Sequence, residues 1–351
     1  MANQEAYVGE SIWVSKLVES LGERLPLSTS LSGTLTIGLI PYILTGLFFW
    51  LSDGPESTYI VSIQLLAAAI ATLGPVLIWH YDEHVFPRFI DEVVDVVKNE
   101  PELVTTVNRY EKFFTTRYLI VVVPWTALIT VAMAANIEFF NTIGVNGLLD
   151  PAFLIYEIFA VWWSIITGIG LHGALTTILC VRAVGDLSLT IDPLHHDGLG
   201  GLSTIGYFSI RATLMNSIGS FALPIAFAIA TRGGFQSLVY LAVVGYIGFI
   251  LASFIYPTLY VNRRAQEVRD SILQQKRQQI QELKNQSSVR SAGGELSELE
   301  TQLKIQTLRD DFHEYQTVNL YPLSISILTR LVSSILLPIG FTLFETYVVS
   351  A

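Results

Sequence analysis

Cysteine is nearly absent: Cys180 is the only one in 351 residues. No intramolecular disulfide can form, and the fold needs no oxidising compartment. Charge is scarce as well. Asp, Glu, Lys and Arg make up 14% of the chain, against about 25% in soluble domains, and they cluster, leaving long stretches with almost none. Positive charge is the scarcer sign. The chain has 20 Lys+Arg against 30 Asp+Glu, for a net charge of −10 and a pI near 5.1, which excludes a nucleic-acid binder. The first 30 residues lack the basic-then-apolar order of a secretory signal. Within the apolar stretches no pair of acids, Ser/His/Asp set or glycine-rich phosphate loop is present. The chain therefore does not read as an enzyme, and no cofactor is expected.

Apolar residues are what the chain has in quantity, 51% by count. A transmembrane helix needs about 20 mostly apolar residues, and seven stretches qualify: 33–52, 58–79, 118–136, 153–181, 212–231, 235–261 and 323–345. The expectation is an all-α, polytopic membrane protein. Eighteen of the twenty Lys and Arg fall on one side of such a seven-span arrangement, with Arg330 inside the last span and Arg232 alone on the other side. By the positive-inside rule the N-terminus is cytoplasmic, the C-terminus external, and the location the cell membrane. This orientation is opposite to that of rhodopsins and G-protein-coupled receptors. The seventh span has no lysine for a retinal Schiff base, and the third does not end in Asp-Arg-Tyr.

The chain divides into four regions: a cytoplasmic arm at 1–32, a six-helix region at 33–261 with cytoplasmic connections at 81–117 and 182–211, a cytoplasmic hairpin at 262–321, and the last span with its flanks at 322–351. In the arm, Val14, Leu17, Val18, Leu21 and Leu25 recur at helical spacing beside Trp13. They predict a helix that either lies on the membrane surface or packs against the cytoplasmic body. The connection 82–117 predicts two amphipathic helices divided at Pro101. Val261, Ala265, Val268 and Ile272 extend the sixth span outward. After a Ser/Gly-rich break at 287–294, Leu296, Leu299, Leu303, Ile305, Leu308, Phe312 and Tyr315 form a returning helix. Such a hairpin needs other cytoplasmic helices or other copies of the chain to bury its seam.

Three features carry chemistry. Six acids lie at or near the external face (Asp53, Glu56, Glu138, Asp150, Glu157 and Glu345) against Arg232. That excess concentrates cations, although the topology rule alone also keeps Lys and Arg out of such loops. The fourth-to-fifth connection contains Asp192-Pro-Leu-His195-His196-Asp197-Gly-Leu-Gly-Gly. Asp192, His195, His196 and Asp197 are metal-ligand types, but the same residues with Pro193 and the glycines make a tight capped turn. A metalloenzyme built on them is the least favoured reading. Within the spans, His172 sits far enough along the fourth helix to be wetted at the inner interface.

In the seventh span, Ser326, Thr329, Ser333, Leu337, Gly340 and Phe344 share one helical stripe that ends near Glu345. Copies of this helix around an axis would form a polar vestibule, an apolar constriction and an acidic mouth, as in cation channels. Ordinary packing through small hydroxyls, with Arg330 snorkelling, is the other account.

The hairpin helix at 295–317, then Tyr321-Pro322, then the span at 323–345 resembles the divided last helix of the seven-transmembrane ion channel superfamily that includes insect odorant and gustatory receptors. The likeness is architectural. The gustatory-receptor motif of Thr-Tyr, five apolar residues and Gln-Phe is absent, since Thr346-Tyr347 is followed only by Val-Val-Ser-Ala. No functional residue is carried over, and the pore residues rest on helical periodicity. The resemblance implies a homotetramer with one central pore in the bilayer, conducting monovalent or divalent cations and gated by a small ligand among the membrane helices. A monomeric or dimeric transporter or sensor with an intramembrane pocket is the alternative.

Overall fold

The computed structural model describes residues 10–40, 43–44, 46–47, 73–142, 144–217, 236–289, 295–318 and 320. The expected seventh span lies outside the described residues, as do most of the second and fifth and part of the first. Among the described residues the protein is helical, with no strand and one isolated antiparallel bridge, Val97 to Leu189. Three helices are long and apolar enough to cross a membrane: Glu100–Ala135, Pro151–Gly185 and Val244–Gln286. They correspond to the expected third, fourth and sixth spans.

The arm forms α1 (Trp13–Arg24), which buries Val14, Ser15 and Val18; Pro26 comes after it and cannot continue the helix. A short α2 (Thr29–Gly33) runs directly into a π-helical turn, Thr34–Leu39. The 81–117 connection begins with a second π-helical turn, Tyr81–Val85, and continues as α3 (Phe86–Val93) and α4 (Glu100–Thr116). Pro101 and the acids Glu100 and Glu102 lie in the first turn of α4, where the missing N–H costs nothing and the helix dipole favours negative charge.

α5 (Leu119–Ala135) starts after Arg117 and Tyr118, and packs antiparallel along α7 (Pro151–Gly185). Asp150 caps α7 by accepting the Ala152 N–H at 2.8 Å, and Pro151 occupies its first turn. A Cβ on Gly168 would lie 3.1 Å from the Val122 Cα, so glycine there lets the two helices touch. The segment expected as an external loop contains a further helix, α6 (Ile137–Thr142). Its Phe139 and Phe140 bury with Val145, Ala152 and Phe153 in a small separate cluster. Those aromatic rings supply enough apolar surface to order a segment that reads as a connection.

α8 (Ser203–Ser217) and α9 (Gln236–Val289) complete the helices packed on α7. α9 has 54 residues and passes Pro257 without ending; at 1.5 Å per residue it is about 80 Å long. It includes Ser287 and Ser288, so the helix runs into the first part of the expected Ser/Gly break. α10 (Glu295–Thr317) returns along it. Lys276 pairs with Asp311 at 2.7 Å and lies over Tyr315, and Arg277 lies over Phe312. Ile305, Leu308, Phe312 and Tyr315 are half-buried on this face, while Leu299 and Leu303 are 58% and 63% exposed.

The main hydrophobic core gathers at the charged end of the apolar helices. It joins Ile12 and Val14 of the arm, Tyr81, Phe89 and Val93, Leu103 and Val107 of α4, Cys180 and Val184 of α7, Ile205 and Phe208 of α8, Val261 and Ala265 of α9, and Val318 and Leu320.

Candidate functional site

Of the expected site residues, Ser326, Thr329, Ser333, Leu337, Gly340, Phe344 and Glu345 lie outside the described residues. The Asp192–Gly201 segment is described, and its geometry is that of a turn. It leaves α7 as an extended stretch: Lys98 N donates to Ser188 O at 2.9 Å and Thr190 N to Val96 O at 2.7 Å. It then closes on itself. Asp192 accepts the Leu194 N–H at 3.0 Å, and Asp197 accepts three N–H groups: Leu199 at 2.8 Å, Gly201 at 3.1 Å and Ser203 at 3.1 Å. His195 Nδ1 lies 2.9 Å from Asp197 Oδ1. Gly200 and Gly201 adopt φ of +70° and +89°, a left-handed conformation that L side chains rarely take.

Burial alone would raise the Asp197 pKa, but the bonds from Leu199 and Gly201, then His195 and Ser203, hold the carboxyl far below the usual range. Both its oxygens are therefore committed to the turn. Among the described residues no group of three or more His, Cys, Asp or Glu is placed to hold a metal ion. The expected candidates Asp192, His195, His196 and Asp197 are not brought together as a ligand set, and His195 and His196 instead set their rings 4.3 Å apart.

The turn has a structural consequence that its sequence does not announce. Ile191, Leu202, Val318 and Leu320 are all buried. At Gly200 an added Cβ would meet Ile191 at 3.0 Å, Leu320 at 3.4 Å and Val318 at 3.7 Å. The residues that leave α10 and lead into the last apolar stretch are thus seated on the glycine side of this turn.

A second polar centre lies where α1, the Tyr81 turn and α7 meet. His172, expected to be wet, is fully buried: α4 ends over it, Nε2 donates to the Phe113 carbonyl at 3.0 Å, and the rings of Phe113 and Phe114 flank it. The Tyr81 hydroxyl lies 2.7 Å from Thr177 Oγ1, and the same hydroxyl reaches the Gly173 carbonyl. Asp82 Oδ2 accepts the Ile12 N–H at 2.9 Å, and Glu83 accepts from the Ser11 hydroxyl at 2.5 Å. Two acids thereby meet the N-terminus of α1, where the dipole favours them.

Burial pushes Asp82 up to about 6, with Glu83 and Glu111 adding to the rise against the bond from Ile12. A carboxyl whose folded-state pKa exceeds its unfolded value binds a proton more tightly when folded. Its stability contribution is largest below about pH 4 and is lost as pH rises to about 6. Asp82→Asn, which keeps an oxygen for Ile12, is expected to remove that component. The variant's unfolding midpoint should vary less than the parent's between about pH 4 and 6, measured by intrinsic fluorescence in detergent.

Two further arrangements were hidden in the sequence because their members lie far apart in it. Asp186 accepts from Tyr260 at 2.5 Å and from Arg264 at 2.9 Å, and Arg182 and Arg264 both lie over the Tyr260 ring. The hydrogen bonds to Tyr260 and Arg264 outweigh desolvation and lower the Asp186 pKa. This knot fastens α9 to the end of α7. Beside α1, Leu17, Leu21, Ile37, Ile158, Phe159 and Trp162 line an apolar groove of about 530 Å³. Comparison with protein-family models, with curated proteins and with solved structures finds no match for the chain.

Proposed function

We propose that this chain is a multi-pass membrane channel with a cytoplasmic N-terminus. In this reading several copies, most simply four, surround an axis and conduct cations past Ser326, Thr329, Ser333, Leu337, Gly340, Phe344 and Glu345. The observation that carries the reading is the seating of Val318 and Leu320, just before the last apolar stretch, on the turn held by Asp197. A pore helix needs a fixed base, and this one is tied to the same core as α1, α4 and α7. The hairpin supports assembly: α10 covers one face on α9 and leaves Leu299 and Leu303 open, as a helix does that meets a second copy. The groove beside α1 has the volume of a small-molecule site, which typically spans about 300–1,000 Å³, and so supports gating by a small apolar ligand.

The test is current through purified, reconstituted chain. Glu345→Lys is expected to shift the reversal potential away from cation preference, since an acidic ring at the mouth would become basic. Leu337→Ser is expected to raise resting leak by wetting the constriction. Folded variants that conduct like the parent would remove the last span from the pore wall.

A second reading, a monomeric or dimeric transporter or sensor, is favoured by one observation. Buried polar groups line the contacts of α7, α8 and α9, with Thr213 3.2 Å from Ser253 and the Tyr246 hydroxyl 2.6 Å from the Asn216 carbonyl. Each of these groups already has a partner within the protein, which is why the channel reading is preferred.

A further inference from the structure

A cavity of about 480 Å³ opens where α4 ends against α7. Arg109, Lys112 and Arg117 line it, and no carboxylate appears among its described lining residues. All three side chains reach the surface, and none has an ion pair among the described residues. The helix dipole accounts for a cation at Arg117, the residue that ends α4. It does not account for Lys112 and Arg109, one and two turns earlier, which share that face by their i, i+3 spacing.

The far wall is Leu179, three residues before Arg182, at the point where the apolar run of α7 gives way to charge. Phe113 lines the cavity too, and its carbonyl is held by His172, so the wall is fixed to the neighbouring helix. Directly beyond Arg117, Leu119, Ile120 and Val123 of α5 are exposed. Three cations with no ion pair among the described residues, leading at once into an open apolar strip, match an amphiphile in both halves.

We infer that this cavity binds the phosphate headgroup of an anionic phospholipid, whose acyl chain lies along Leu119, Ile120 and Val123. Guanidinium groups hold phosphate oxygens with charge-assisted, bidentate hydrogen bonds, and basic hollows at the cytoplasmic ends of membrane helices select anionic headgroups. The apolar strip commits the site to lipid over free phosphate. The inference rests on the membrane reading and is independent of conduction and of copy number.

The test uses full-length chain in nanodiscs of equal phosphatidylglycerol and phosphatidylcholine, with retained lipids counted per chain by native mass spectrometry. The parent is expected to keep phosphatidylglycerol several-fold over phosphatidylcholine. Arg109→Gln, Lys112→Gln and Arg117→Gln together should abolish that preference. Lys284→Gln, Lys304→Gln and Arg309→Gln, which remove the same charge from the hairpin, should preserve it. If the triple variant fails to fold, Arg109→Gln alone, on an exposed side chain, should reduce the preference. No preference in the parent, or an equal preference in the pocket variants, overturns the site. Inorganic phosphate that displaces the lipid and binds lipid-free parent equally well would reassign the cavity to a soluble anion and overturn the lipid assignment.

Discussion

Phe89→Ala is expected to lower stability by about 3–5 kcal/mol, the usual cost of emptying a buried aromatic site. Phe89 is almost wholly buried, and its ring lies 4.0 Å from that of Phe208 with the planes 10° apart. Phe208 also meets Tyr81 and Phe86, so the ring stack joins α3 and the Tyr81 turn to α8. Collapse of the cavity is opposed from several directions at once, because its neighbours are anchored in different elements. Denaturant titration of detergent-solubilised protein would read the loss. Phe89→Leu, which refills most of the volume, should recover most of it. A shift no larger than that of an exposed control such as Arg88→Gln would contradict the packing described.

Asp197→Ala is the second large effect, about 2–4 kcal/mol. The carboxylate accepts the N–H groups of Leu199, Gly201 and Ser203. Removing it strands three donors, each costing about 1–3 kcal/mol when buried. The turn is only partly buried, so water recovers some of that cost and the total falls toward the low end. Asp197→Asn keeps one acceptor oxygen and should fall between parent and alanine.

A depressed carboxyl pKa contributes stability above its unfolded value of about 4, and that stability is lost only as pH falls through the folded value. Because the Asp197 pKa lies far below the usual carboxylate range, the difference between parent and Asp197→Ala should stay constant from pH 5 to 8. The alanine variant should also loosen Val318 and Leu320, read as faster amide exchange at those residues. Unchanged exchange there would separate the turn from the residues that leave α10.

Both effects depend on residues that the sequence marks only partly. The helices of the 82–117 connection are legible, because apolar residues recur at helical spacing and Pro101 suits the start of a helix. So is the hairpin, whose seam runs from Val261 to Tyr315. The glycines after Asp197 announce a turn, and the turn is there. What cannot be read is what each residue faces. Distance along α7 places His172 in water, yet its burial is set by α4, which ends over it. Tyr81 and Asp82 stand at the end of an apolar stretch and read as the start of a solvated segment, but α4, α7 and α8 enclose Tyr81 and the N-terminus of α1 meets Asp82. The Asp186, Tyr260 and Arg264 knot joins residues 74 and 78 positions apart, which no local pattern encodes. The small helix at Ile137–Thr142 is hidden because six residues carry too little periodicity to separate it from a loop.

The hairpin bears most directly on assembly. By spacing, Leu296, Leu299 and Leu303 continue the seam of Ile305, Leu308 and Phe312, but the seam divides. α9 covers the second group and leaves Leu299 and Leu303 open. An apolar surface presented near the far end of a helix about 80 Å long suits contact between copies better than folding within one.

The mass of the intact complex tests this most directly. Native mass spectrometry of the nanodisc-extracted protein is expected to give four copies of the 38.9 kDa chain, with Leu299→Glu and Leu303→Glu together reducing it to smaller species. A parent that flies only as a monomer would contradict the account, because no shared axis would remain for the last span to line.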